Sequence, residues 1–180
     1  MSDRDFERLD SRSVFDGHIV DVRVETFRFA DGQEAERELV RTSGAVAVVA
    51  VDDEHLWLVR QPREAIGDPD CLEVPAGRLD KEGEEPLEAA KRELAEEIGK
   101  VAARWTPLTS YHSSVGFTDE RVQLFLAEGC TDSPDEHDSG EDERIEIVAW
   151  PLAELDRLVE EATDSKTLIG ALLLLRRRAA

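Results

Sequence analysis

The sequence predicts an α/β fold in which strands of a mixed sheet are flanked by helices. Three observations predict it. The run AVAVVAV at residues 45–51 has the length and continuous apolarity of a strand buried on both faces. Several shorter segments alternate apolar and polar residues with a period of two. Residues 86–98 and 165–178 instead carry apolar residues at helical spacing.

Taken in chain order, residues 18–30 and 34–42 alternate as two strands around a turn at Ala30–Gly32. After the 45–51 strand, Asp52–Glu54 turn the chain into Leu56–Arg60, the second strand of a hairpin. Leu72–Pro75 reads as a short strand, and Ala76-Gly77 as the start of an irregular loop. Pro86 suits the first position of a helix. Leu87, Ala90, Leu94 and Ile98 then recur at spacings of three, four and four, and Gly99 ends the helix. Arg121–Glu128 and Arg144–Trp150 are further strands. Between them, Thr131–Asp142 is acidic, contains Pro134, Ser139 and Gly140, and reads as a mobile loop. Leu152–Glu161 and Ser165–Arg178 complete the chain as two helices.

At 180 residues, without a Ser/Pro-rich linker or an internal repeat, the chain supports one domain with a sizeable core. Its longest apolar run near the end, Leu168–Leu175, is too short to span a bilayer and contains Gly170. The charged start MSDRDFERLD lacks the apolar core of a signal peptide. Cys71 and Cys130 are too few for a disulfide framework, so a cytoplasmic location is expected.

The chain carries 42 acidic against 22 basic residues, a net charge of −20. That excludes a broad basic surface, and with it nucleic-acid or anionic-membrane binding. The only lysines are Lys81, Lys91, Lys100 and Lys166, a pattern that reads as salt adaptation and a halophilic source. At about 1 M salt the Debye length shrinks to about 3 Å, and self-repulsion is screened.

The chemistry concentrates in GRLDKEGEEPLEAAKRELAEEIG, residues 77–99. At 3.6 residues per turn, Glu93, Glu96 and Glu97 fall within an arc of roughly 100°. Like charges at i,i+3 and i,i+4 destabilise a helix by about 0.2–0.5 kcal/mol per pair. A cation among them removes that cost, and all-oxygen ligands suit Mg²⁺ first and Mn²⁺ second. The other reading is a solvated acidic face. Arg92 can pair with Glu96 at i+4.

This stretch resembles the Nudix box, G-x5-E-x7-R-E-U-x-E-E-x-G-U with U aliphatic. Gly77, Glu84, Arg92, Glu93, Leu94, Glu96, Glu97 and Gly99 match in type and order. Two departures stand out: six residues instead of five separate Gly77 from Glu84, and Lys100 fills the last aliphatic position. The extra residue lies in the loop before the helix, where insertion is tolerated. Other segments resemble the ADP-ribose pyrophosphatases of that family: VRQPREAIG (59–67), LEVPAG (72–77), SSVGFTDER (113–121) and GEDERIEIVAWPLAEL (140–155). Val115 stands where those enzymes often carry proline.

The resemblance implies an α/β/α sandwich with an N-terminal β-strand extension (residues 1–42, a dimerisation element) ahead of a hydrolase domain at 43–180. It implies Mg²⁺-dependent cleavage of a nucleoside diphosphate linked to another moiety, ADP-ribose first, by a homodimer. Glu93 and Glu97 would be the principal metal ligands, with Glu96 assisting and the Ala76 carbonyl completing the site. Glu84 would orient Arg92, bind metal through water, or simply pair with Arg92. The base would be Glu143, with Glu141 and Glu120 as the other candidates, each also readable as a solvated loop carboxylate. Arg63 would contact phosphate or form a surface salt bridge. Phe29, with Phe27 on the same strand face, would stack adenine or sit in a core. Two alternatives remain: a Nudix hydrolase of another nucleotide, and a non-catalytic sensor of a nucleotide sugar.

Overall fold

The computed structural model describes residues 4–134 and 144–179. They form ten strands and three α-helices: β1 (Phe6–Asp16), β2 (Asp21–Phe29), β3 (Glu34–Arg41), β4 (Ala45–Val51), β5 (His55–Arg63), β6 (Asp68–Glu73), β7 (Ala76–Arg78), α1 (Pro86–Ile98), β8 (Lys100–His112), β9 (Arg121–Asp132), β10 (Glu146–Pro151), α2 (Leu155–Glu161) and α3 (Ser165–Arg178). The chain separates into two compact units, Met1–Gly44 with His112–Arg121, and Ala45–Tyr111 with Val122–Ala180.

The first unit is built on an antiparallel sheet, β1-β2-β3. Alternation places Phe27 and Phe29 on one face, where Phe6 meets both edge-on at 5.5 and 6.5 Å. By the same alternation Glu25 shares that face, and it is 1% exposed. Burial alone would raise its pKa, but hydrogen bonds from Arg41 and Ser11 outweigh that and hold it low. Strand β3 also anchors the 113–120 loop: Val40 N–H donates to the Phe117 carbonyl at 2.8 Å, and Asp119 accepts from Arg41 and from Thr42 N–H.

The second unit holds the mixed sheet in the order β10-β5-β4-β9-β8, with β6 on β5 and β7 on β4. Strand β4 runs parallel to β9 and antiparallel to its other partners. Its alternating side chains feed two separate cores. Ala47, Val49 and Val51 pack with Leu155, Leu158, Ala171 and Leu174 of α2 and α3. Val46, Val48 and Ala50 pack with Ala89, Ala90, Leu94 and Ile98 of α1. Helices therefore cover both faces of the sheet, the expected sandwich. Each fully buried leucine, such as Leu94 or Leu158, contributes about 1.5–3 kcal/mol. Cys71 and Cys130 are both buried free thiols, and burial pushes the Cys130 thiol up to about 11.

Five details differ from the sequence reading. The strand read at Leu72–Pro75 runs instead over Asp68–Glu73, where its backbone pairs with β5. Ala76–Arg78 is a strand rather than the start of an irregular loop, because its backbone pairs with Ala45–Ala47. The β4–β5 hairpin pairs only at Ala50↔Trp57 and Val51↔Leu56 before β5 departs to β6 and β10. Strands β1 and β8 were not anticipated at all. Thr131 and Asp132 extend β9 and are not part of a loop.

Candidate active site

Helix α1 sets the frame. Pro86 occupies its first position, and Gly99 ends it at φ 62°, a left-handed conformation with its N–H on the Ala95 and Leu94 carbonyls. Leu94 and Ile98 bury one stripe, and Glu97, only 7% exposed, lies beside them. Its carboxylate accepts the backbone N–H of Ala76 at 2.9 Å. That bond ties the helix to β7.

Gly77 is the second tie. A Cβ built there would collide with the carboxylate of Glu93, whose Cδ, Oε1 and Oε2 are the three nearest atoms. The missing side chain at Gly77 is thus the space that Glu93 fills. Gly77 itself pairs with Val46 on the central strand, so the carboxylate lies directly on the sheet.

Arg92 gathers the remaining acids. Its Nε and Nη2 each donate to Glu84 at 2.9 Å, a two-pronged pair. Its Nη1 donates to Glu93 at 2.6 Å and to Glu96 at 2.8 Å. Hydrogen bonding to Glu84, then to Glu96 and Glu93, drives the Arg92 pKa further upward. In return Arg92 lowers that of Glu84. Glu84 therefore makes the pair with Arg92 that the sequence left as one of its options.

Glu93 and Glu96 thus face a guanidinium, and among the described residues no three acidic, histidine or cysteine side chains are grouped as a metal cage. The donor set nevertheless fits a hard divalent ion: Glu84, Glu93 and Glu96, around the cationic head of Arg92, and Glu97, against Ala76, supply only carboxylate oxygens.

Arg63 ends β5 and grips Glu73, at the end of β6, through both Nε and Nη2. Glu73 is 2% exposed and also accepts from Lys166 of α3 at 3.1 Å. Desolvation by itself would raise the Glu73 pKa; Arg63 and Lys166 overcome it and keep the carboxylate ionised. The sequence reading missed Glu73, although a glutamate between Leu72 and Val74 in a strand was a usable signal.

Phe29 and Glu120 lie in the other compact unit. Phe29 packs on Phe6, with Arg37 over its ring at 5.9 Å. Glu120 is half-buried, and its carbonyl accepts from Ser113 N–H. Glu143 and Glu141 fall outside the described residues. An open cleft of about 410 Å³ beside Val51, Arg104, Glu128 and Arg177 includes none of the residues around Arg92. No described helix is long and apolar enough to cross a membrane.

The NUDIX domain family matches residues 41–171. An ADP-ribose pyrophosphatase of Bacillus subtilis (strain 168) is 38% identical over 93% of this chain and 91% of its own. A methanol dehydrogenase activator of Bacillus methanolicus is 34% identical, covering 90% and 88%. A crystal structure of an ADP compounds hydrolase superposes with a TM-score of 0.86 at 25% identity, covering 99% of this chain and 97% of that one. Nudix hydrolases generally use divalent metals, and the all-carboxylate set around Arg92 accords with that. The chain belongs to the Nudix family and is a Nudix hydrolase similar to ADP-ribose pyrophosphatases.

Proposed function

We propose that this hydrolase cleaves the diphosphate of ADP-ribose to AMP and ribose 5-phosphate with Mg²⁺, Mn²⁺ serving less well. The observation that carries the proposal is the carboxylate set of α1: Glu93 and Glu97 seated against Gly77 and Ala76 on the central sheet, with Glu96 beside them on Arg92. Glu93 and Glu97 would hold the metal, with Glu96 and the Ala76 carbonyl assisting. When bound, the metal neutralises diphosphate charge and acidifies a water. Arg92 would hold Glu93 and Glu96 in reserve near that position. Arg63 would contact phosphate with the edge of its guanidinium that Glu73 leaves free. AMP release from ADP-ribose, measured with and without Mg²⁺ in high-salt buffer, tests this. No release with metal present sinks the proposal.

Other ADP compounds are the rival substrates, favoured by the similarity to an ADP compounds hydrolase and by Val115 in place of proline. A panel of such compounds ranks them by kcat/KM. The sensor alternative draws on the relative named a methanol dehydrogenase activator. It requires nucleotide binding without AMP release, so the same assay separates it.

The base in this reading is Glu143, with Glu141 the next candidate and Glu120 the third. Glu143→Gln is expected to lower kcat by about 10²–10⁴-fold with a smaller change in KM. If Glu143→Gln is silent and Glu120→Gln is crippled, the base belongs to the 113–120 loop.

Residues 1–42 would serve as the dimerisation element, with Phe29 helping to shape the adenine pocket of a partner copy. Phe6, Val14, Phe15 and Ile19 are each more than half exposed (66, 53, 58 and 64%). Exposed apolar patches mark interfaces. Concentrated salt would strengthen the dimer by screening the −20 charge of each chain, and such a surface suits a cytoplasm of high salt. Light scattering under those conditions decides it: an active particle of 20.1 kDa refutes the dimer.

A further inference from the structure

Residues 73–77 carry two sets of contacts within five positions. At one end, Ala76 and Gly77 receive Glu97 and Glu93 of α1. At the other, Glu73 holds Arg63 and Lys166, and Val74 N–H donates to Thr167 Oγ1 at 2.8 Å. Thr167 is itself held by Asp164, which caps α3 by accepting from both its N–H and its hydroxyl. Asp164 also accepts from Lys166 at 2.6 Å. We infer that Glu73 is a positioning residue for Arg63, with Lys166 as the counter-charge that keeps its carboxylate buried and fixed.

The geometry separates anchor from business end. The Glu73 side chain is 3% exposed and that of Arg63 is 42% exposed. The two bonds to Glu73 use Nε and Nη2, and among the described residues no hydrogen bond engages Nη1. A planar guanidinium clamped along one edge by a rigid partner presents its remaining nitrogen in one direction. A single Arg–Glu pair would cancel the positive charge that an anion needs. Lys166 shares the charge of Glu73, so the guanidinium is not neutralised alone. The carboxylate, in turn, is buried only because both cations and Asp164 complete a closed network. The electrostatic influence of Glu97 also reaches Arg63, which relates the anchored arginine to the acidic site.

The inference rests on the phosphate contact proposed for Arg63, and the test separates the two. A glutamine at 73 keeps the shape of the side chain but offers one acceptor where Arg63 and Lys166 need two. Glu73→Gln is expected to raise KM for ADP-ribose by about 10–100-fold, by analogy with the loss of an outer partner of a metal ligand, with kcat changing much less. Arg63→Lys should raise KM comparably. The double variant should be no worse than Arg63→Lys alone, because the two act as a unit. Lys166→Met should lower the thermal midpoint and raise KM, though less than Glu73→Gln, because the Arg63 fork survives while the shared counter-charge is lost; a wild-type KM there overturns the part assigned to Lys166. A second readout needs no substrate. The Nε–H resonance of Arg63 in ligand-free protein, assigned through Arg63→Lys, should be sharp in wild type and lost in Glu73→Gln. A wild-type KM or a retained Nε–H signal in Glu73→Gln, beside a raised KM in Arg63→Lys, overturns the positioning role alone. So does strict additivity in the double variant. A wild-type KM in Arg63→Lys overturns the phosphate contact itself.

Discussion

Glu97→Gln is expected to reduce kcat/KM on ADP-ribose by at least about 100-fold, beyond what is lost when an outer partner of a metal ligand is removed. The fold should survive. Glu97 sits 7% exposed beside the buried stripe of α1, and a glutamine oxygen can still accept the Ala76 N–H that Glu97 accepts at 2.9 Å. Shape and hydrogen bond are kept, and only the negative charge is removed. A neutral amide is a poor ligand for a hard divalent ion, so the loss should persist at saturating Mg²⁺. Steady-state kinetics across a Mg²⁺ series, paired with a thermal melt, check both halves. Full activity at saturating metal would remove Glu97 from the metal site.

Gly77→Ala should produce nearly the same kinetic defect with every carboxylate still present in the chain. The added Cβ lands on the carboxylate of Glu93, and all three of its nearest neighbours are atoms of that one group. The tip of a glutamate is flexible, so the clash is relieved by rotating Glu93, at about 0.5–1.5 kcal/mol for an off-rotamer angle. Stability should hardly change. Activity should fall by about 10²-fold, since a 1 Å misplacement of a reacting geometry can cost that much. An active Gly77→Ala enzyme would show that the position of Glu93 is immaterial. A variant that instead unfolds would assign Gly77 to the β4–β7 pairing and not to the site.

Much of the fold was legible because its elements obey simple periods. The 45–51 run had to be a buried strand, and α3 spans Ser165–Arg178, the range its sequence predicts. The unforeseen strands lie where periodicity is not enforced. Strand β8 is at the end of the sheet order and tolerates Pro107 and the two charges of Lys100 and Arg104, as an edge strand can. Strand β1 is exposed at ten of its eleven positions, so no core face imposed alternation on FERLDSRSVFD. Strand β7 is three residues long, too short for any pattern, and exists because β4 offers it a backbone partner.

The sequence by itself determined the family and the acidic arc. Helical spacing places Glu93, Glu96 and Glu97 together whatever else the chain does, and Pro86 and Gly99 bound that helix. Only the tertiary structure decided how those charges are accommodated. Arg92 reaches Glu84 eight residues back as well as Glu93 and Glu96, Gly77 opens the space for Glu93, and Ala76 fixes Glu97. The Glu73–Lys166 contact spans 93 residues. No local period links such positions. They meet because β6 and the start of α3 are packed into one core, and a buried carboxylate there is stable only with its cations beside it.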